Sequence, residues 1–407
     1  MSDVFDVSFF AGNRQSLLRS TGAGLVALTA NGVVQRSADT TFVFRQDSNF
    51  WYLTGVDEPN FLLVFTDAES FLVSPKRSAH RDMWDGSIDM TAIKRTSGVD
   101  EIYEYHDGWN KLDRLLKKYK KIHTITPVDA YIEDFGFYSN PAKVSFLASL
   151  AKHRRLETVD IRKPLARLRQ VKQPCEIDAL QRAIDITVKS LRAVKTGMPR
   201  YKYEAEIYAD ITRDFIKYGA TGHAYTPIIG SGINAATIHY MKNNSRIGST
   251  DLVLIDAGAE YMNYSADISR TYSLERPSPR QRDVYNAVMS VYNQAKELIR
   301  PGINMRQYER QVDEFMQKEL VKLGLASDIT DKKKLKKYYP HLASHFLGLD
   351  THDAADYEQA LAPGCVVTLE PGIYIPEESM GIRIEDDILI TDNGIKVLSG
   401  DLSTELY

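Results

Sequence analysis

The segment Asp251-Leu252-Val253-Leu254-Ile255-Asp256-Ala257-Gly258, followed by Tyr264-Ser265-Ala266-Asp267-Ile268-Ser269-Arg270-Thr271, decides how this chain is read. The first half is an apolar run of strand length that closes on an acid. An ionised carboxylate there is costly unless it is paired or bound to a cation. Asp267 follows eleven residues after Asp256, and Glu260-Tyr261-Met262-Asn263 between them reads as a hairpin turn. With an even-numbered loop, residues an odd distance apart can oppose each other and share a face, and directly opposed side chains have Cβ atoms ~5 Å apart. Two like charges so placed raise each other's pKa unless a cation lies between them.

The pattern recurs downstream. Glu370 ends Val366-Val367-Thr368-Leu369-Glu370 ahead of Pro371, and Glu385 lies in Gly381-Ile382-Arg383-Ile384-Glu385-Asp386-Asp387-Ile388. Their separation of fifteen is again odd, so a second hairpin would place both on one inner face. A single strand-end acid is ordinarily solvated or paired with arginine. Four of them in four apolar strand contexts point to a shared cation. His341-Leu342-Ala343-Ser344-His345 has the spacing of a helical zinc pair but lacks the glutamate that a zincin carries after its first histidine. His345 and His352 flank the glycine-containing apolar turn Phe346-Leu347-Gly348-Leu349 and add imidazoles to the four unexplained carboxylates.

Outward from these segments, the second half alternates helices with strands. Ile177, Leu180, Ile184, Val188, Leu191 and Val194 share one helix face, which Gly197 and Pro199 terminate. A second helix carries Ile207, Ile211 and Phe215 and stops at Gly219; a third opens on the capping box Ser278-Pro279-Arg280-Gln281. Strands are expected over Leu252 to Ala257, Val366 to Glu370 and Ile382 to Thr391. The first 160 residues mix short strands (24–28, 61–65, 71–73) with helices, one of them carrying Trp109, Leu112, Leu115, Leu116 and Tyr119. A polar stretch near residues 157–172 separates the halves, giving an α+β chain with expected domains at 1–165 and 166–407.

Composition narrows the function classes. The 407 residues carry 51 basic and 54 acidic side chains, a net charge of −3, which gives no electrostatic footprint for nucleic acid. The lysine clusters at 117–121 and 332–337 read as solvated faces. Hydrophobic residues make up 43%, enough for a core, yet no window approaches a membrane span. Two cysteines, Cys175 and Cys365, exclude a disulfide framework and a cysteine metal cluster. The acids in Met1-Ser2-Asp3-Val4-Phe5-Asp6 do not fit a signal peptide, so a cytoplasmic location is expected, without nucleic-acid or membrane partners.

With these segments assembled, the chain resembles the pita-bread family of dinuclear metallopeptidases, and within it the bacterial-type Xaa-Pro aminopeptidases (aminopeptidase P). The likeness includes Arg36-Ser37-Ala38-Asp39, Phe44-Arg45-Gln46-Asp47-Ser48-Asn49-Phe50-Trp51-Tyr52-Leu53-Thr54-Gly55, Gly230-Ser231-Gly232, Ile238-His239-Tyr240 and the four acidic segments. It implies an α/β N-terminal domain followed by a pita-bread catalytic domain whose curved, mostly antiparallel sheet is covered by helices. It further implies five metal ligands: Asp256 on one metal, His345 and Glu370 on the other, Asp267 and Glu385 bridging both. His239 and His352 would line the cleft, His341 would lie near the substrate pocket, and Arg383 would bind at that pocket or support it from behind. Glu370 would be the proton carrier. The donor set of four carboxylates and one imidazole suits two Mn²⁺ ions, with Co²⁺, Zn²⁺ or Fe²⁺ as alternatives. The implied reaction is hydrolysis, by a metal-bridging hydroxide, of the bond between an N-terminal residue and a following proline.

Assembly as a homodimer or homotetramer through the N-terminal domain is also implied, with Trp84 and the Arg81-Asp82 segment reaching a neighbouring cleft. One loop departs from the family: after His352-Asp353 this chain has Ala354-Ala355-Asp356-Tyr357 where Val-Gly is common. The rival readings are a prolidase confined to Xaa-Pro dipeptides and a non-catalytic pita-bread binding module. The module would have lost ligands that are all present here.

Overall fold

The computed structural model describes residues 4–126, 132 and 134–407, in two compact units, Met1–Leu168 and Arg169–Tyr407. In the first unit a six-stranded sheet runs in the order Glu101–Tyr103, Ser70–Val73, Leu62–Phe65, Val26–Thr29, Lys121–Thr124, Glu157–Asp160. The three inner strands pair antiparallel and the flanking ones parallel, as expected of an element order in which helices separate strands. The helix Tyr105–Tyr119 buries Leu112 and Leu116 against this sheet, in a cluster with Leu25, Val64, Phe71 and Ile122. Asp47 caps the helix Ser48–Thr54 by accepting from the Phe50 amide. Gly55 closes that helix at φ 65°, where a Cβ would meet the Phe10 ring at 2.3 Å. Trp84, on the helix Ala79–Asp85, is 76% exposed.

The second unit is built from antiparallel ladders. In chain order its main strands are β1 (Ile228–Ser231), β2 (Leu252–Ala257), β3 (Ala259–Tyr261), β4 (Tyr264–Ser265), β5 (Ile268–Ser273), β6 (Val366–Leu369), β7 (Gly372–Ile375), β8 (Met380–Arg383), β9 (Asp386–Thr391) and β10 (Gly394–Val397). One sheet orders β1-β2-β5, another β6-β9-β10, and β7 pairs with β8. The Glu385 amide donates to Ser269 O at 3.0 Å, and Arg383 N donates to Thr271 Oγ1 at 3.2 Å, which stitches the second ladder to β5.

Helices cover these strands. The helix Pro174–Gly197 opens with the capping box Gln173/Glu176 and lies along β3 and β4, where Tyr264 OH donates to Glu176 Oε1 at 2.8 Å and Ala259 N to Thr187 Oγ1 at 2.9 Å. The helices Pro279–Leu298 and Met305–Lys322 bury Val284, Val288, Val291, Val312 and Met316 against Val367, Leu369, Ile382 and Ile388. Burying each such side chain contributes about 1.5–3 kcal/mol, so this apolar layer is what holds the strands and the acids on them in place. Among the described residues no helix is long and apolar enough to cross a membrane.

Three details differ from the sequence expectation. The run 382–391 is two strands, β8 and β9, broken at Ile384-Glu385. The stretch His341–His345 is not helical; Phe346 bridges Val367 instead, so the histidine spacing there is no helical zinc pair. The first hairpin turns over Met262-Asn263 alone, both at positive φ (51° and 66°), a conformation suited to two-residue hairpin turns.

Candidate metal centre

That turn sets the first pair of acids. The register matches Asp256 with Ser269 and Ala257 with Ile268, so Asp267, one residue before β5, continues opposite Gly258 rather than Asp256. The two carboxylates are therefore diagonal neighbours on one face, not directly opposed. Tyr225 spans the gap: its hydroxyl lies within hydrogen-bond reach of both Asp256 Oδ1 and Asp267 Oδ1, the latter at 2.6 Å, and its one proton serves either. Gly258 permits the close approach, since a Cβ there would lie 1.7 Å from Ala266 O.

The second pair follows a different rule. Leu369 pairs with Asp386 on one side of the break and Gly372 with Arg383 on the other, in one unbroken register. Glu370 and Glu385 thus hold the opposed positions at the break. Ser269 Oγ donates to Glu385 Oε2 at 2.7 Å, and Thr368 Oγ1 to Glu370 Oε1 at 3.1 Å. The Glu370 amide donates to Ala343 O, which ties this strand to the segment carrying His345.

His345 joins the two pairs. Its Nε2 lies 3.3 Å from Asp267 Oδ2 and 3.3 Å from Glu370 Oε1, and Nδ1 approaches Phe346 O at 3.0 Å, so Nε2 is the ring nitrogen turned toward the acids. Donor atoms of Asp267, His345 and Glu385 all lie within 4.8 Å of one another. Burial raises Asp256 against the opposing charge of Arg383. It also pushes Glu370 up to about 7, where the Asp267 carboxylate adds to it and His345 opposes. Glu385 is held well above the carboxylate range, first by burial and then by Asp267, Glu370 and Asp256. For His345, burial is outweighed by Asp267 and Glu370, which hold it at about 9. Acids that neutralise one another in this way are what divalent cations stabilise in ionised form, and a nest of hard oxygen donors with one imidazole fits such ions.

Around the donors stand the other expected residues. His352 faces His345 with ring centroids 4.3 Å apart. His341 Nε2 is 2.8 Å from Tyr374 OH, and burial, with Arg383 adding, lowers its pKa to about 3. His239 is exposed on the loop between Ser231 and Ser245, within electrostatic reach of His341 and His352. Arg383, expected at the pocket or behind it, is 2% exposed and hydrogen-bonds protein groups: Nε to Ser269 Oγ at 2.8 Å, Nη1 to Tyr374 OH at 2.7 Å and Nη2 to Asp256.

Sequence reasoning missed Tyr225, one of 23 tyrosines, because nothing in its neighbourhood separates it from a core residue. It also missed that Asp387 Oδ2 accepts from the Asp267 amide at 3.3 Å, and that Asp386 pairs with the buried Arg270 at 2.7 Å. The acidic run Glu385-Asp386-Asp387 was the available signal, since three adjacent acids in an apolar strand cannot all face water.

Comparison with known proteins agrees with this geometry. The sequence model of Metallopeptidase family M24 matches residues 178–392, and that of the aminopeptidase P N-terminal domain matches residues 10–124. The chain is 33% identical to the Xaa-Pro aminopeptidase of Escherichia coli over 427 aligned positions, covering 97% of this chain and 94% of that protein. It is 31% identical to the Xaa-Pro aminopeptidase of Haemophilus influenzae, covering 91% and 89%. Among solved structures, zinc-substituted E. coli aminopeptidase P in complex with product is similar at TM-score 0.87 and 31% identity, covering 98% of this chain and 96% of that one.

Proposed function

The chain belongs to metallopeptidase family M24 and is a metal-dependent Xaa-Pro aminopeptidase; on that premise we propose which of its residues do the work and with which ions. Asp256, Asp267, His345, Glu370 and Glu385 would hold two divalent ions, most suitably Mn²⁺. The observation that carries this reading is the approach of the Asp267, His345 and Glu385 donors to within 4.8 Å. When bound, such ions supply a water of lowered pKa and polarise the scissile carbonyl.

The protein's own groups do the rest. Glu370 takes the proton of the attacking water and returns it to the proline nitrogen as that group leaves. His239 and His352, at the mouth of the donor nest, hydrogen-bond the scissile carbonyl and the substrate chain as charge develops. His341, held low and therefore neutral, lines the pocket through its contact with Tyr374. Arg383 supports Asp256 from behind. Proline at the second position offers no N–H and a fixed φ, so a site that grips no amide hydrogen there does not discriminate against it.

Residues 1–165 serve as an oligomerisation and access domain and 166–407 as the catalytic domain. The enzyme acts in the cytoplasm as a homodimer or homotetramer on peptides with proline second, and a content of only two cysteines, Cys175 and Cys365, suits that compartment. The test is hydrolysis of matched Xaa-Pro peptides by purified protein alongside metal analysis. Chelation should abolish activity and Mn²⁺ or Co²⁺ should restore it; full activity in a demonstrably metal-free sample overturns the mechanism.

A further inference from the structure

The loop that presents His239 leaves β1 at Ser231 and returns near Ser245, and its apex is exposed. Such a loop would wander unless something fixes it, and a wandering histidine loses most of its value in catalysis. Directly beneath it lies Glu204, the first residue of the helix Glu204–Lys217, with 0% exposure. Among the described residues no cation is paired with this carboxylate. It is satisfied by five hydrogen bonds, all from the loop. Oε1 accepts from Ser231 N at 2.9 Å, Ser231 Oγ at 3.0 Å and Asn234 Nδ2 at 3.0 Å. Oε2 accepts from Tyr240 OH at 2.9 Å and Ser245 N at 2.8 Å. The Glu204 amide in turn donates to Ser245 O at 3.0 Å.

The donors come from the loop's entry, its middle and its exit, and Tyr240 is the residue beside His239. Glu204 therefore ties both ends of the loop to one rigid helix start and holds the apex by its nearest neighbour. From outside, Gly381 of β8 lets the loop seat closely: a Cβ there would lie 1.9 Å from Ala235 O. A buried, fully hydrogen-bonded anion is stiff, because losing any one donor leaves charge unsatisfied in low dielectric.

We infer that Glu204 is a positioning residue for catalysis: through Tyr240 and Ser245 it fixes where His239 stands over the reacting peptide. The inference rests on the proposed role of His239. It differs from a merely structural role in what it predicts for kinetics, since none of the five proposed metal ligands lies on this loop.

The test is a double-mutant cycle on the metal-loaded enzyme, with kcat, KM, metal content and thermal unfolding read for each variant. Glu204→Gln and Tyr240→Phe should lower kcat, by about 10- to 100-fold and about 3- to 10-fold respectively, while metal content stays at the wild-type level. In the His239→Ala background the same substitutions should change kcat by less than about twofold, because the group they position is gone. Losses that multiply in the double variants, with His239→Ala itself impaired, overturn the inference while leaving the role of His239 standing. A His239→Ala enzyme with wild-type kcat overturns both. Should Glu204→Gln fail to fold, Tyr240→Phe decides alone: it removes a single hydroxyl and leaves four donors on the carboxylate, so the cycle is read on it in the same way.

Discussion

Replacing Asp353 by asparagine should destabilise the second unit by about 3–5 kcal/mol at neutral pH, the cost of breaking a buried ion pair from one side. Asp353 follows His352 and is 5% exposed. Its Oδ1 meets Arg169 Nη2, and its Oδ2 lies 2.9 Å from Lys172 Nζ. Both cations are buried, Arg169 at 1% and Lys172 at 4%. The amide keeps the shape of the carboxylate and loses its charge. Asp350, 2.7 Å from Arg169 Nη2, still faces that guanidinium, but Lys172 loses its buried carboxylate.

Urea unfolding of chelated protein measures the loss directly. In thermal unfolding it corresponds to roughly 6–20 °C, at about 2–4 °C per kcal/mol for a unit of this size. The sign with pH follows from the pKa. Burial alone would raise Asp353, but Arg169 and Lys172 outweigh it and hold it below the usual carboxylate range. A depressed folded-state pKa stabilises above the unfolded value of about 3.9, and that stabilisation is lost as pH falls through the folded pKa. The gap between wild type and variant should therefore be flat from pH 7 to about 5 and shrink below about 4. A gap under about 1 kcal/mol at pH 7, or one that fails to shrink in acid, refutes the reasoning.

Other outcomes follow from the same geometry. On the proposed ligand set Glu385→Ala should lose all bound metal; wild-type metal content in that variant would remove Glu385 from the set. Gly258→Ala should force β2 and the Asp267 strand apart, since its Cβ would fall 1.7 Å from Ala266 O; metal affinity and at least about 1–3 kcal/mol of stability should be lost, and a variant with wild-type metal content would contradict this. Tripeptides and longer Xaa-Pro substrates should be cleaved at least as well as Xaa-Pro dipeptides. The segment 354–362 holds no arginine or lysine to capture a proline carboxylate, and Arg306, which lies against it, is paired with Glu358 at 2.5 Å. A tenfold preference in kcat/KM for the dipeptide, about 1.4 kcal/mol, would favour a prolidase instead.

By itself the sequence determined that acids would share faces within this sheet. Strand periodicity is a local property: an odd separation across an even loop keeps two residues on one side whatever the exact pairing. Hence Asp256, Asp267, Glu370 and Glu385 could be grouped from spacing and apolar context alone, and the helices from Ile177 and from Ser278 could be placed by their apolar faces and caps. Tertiary structure alone decided the register and the partners. The turn at Met262-Asn263 shifts Asp267 from opposite Asp256 to its diagonal, and no parity rule distinguishes those two pairings. The break at Ile384-Glu385 divides a run whose hydrophobicity is continuous. Tyr225, Glu204 and Asp353 took their places through contacts with residues distant in the chain. Such contacts leave no period in the sequence, because they are fixed by how sheets and helices stack.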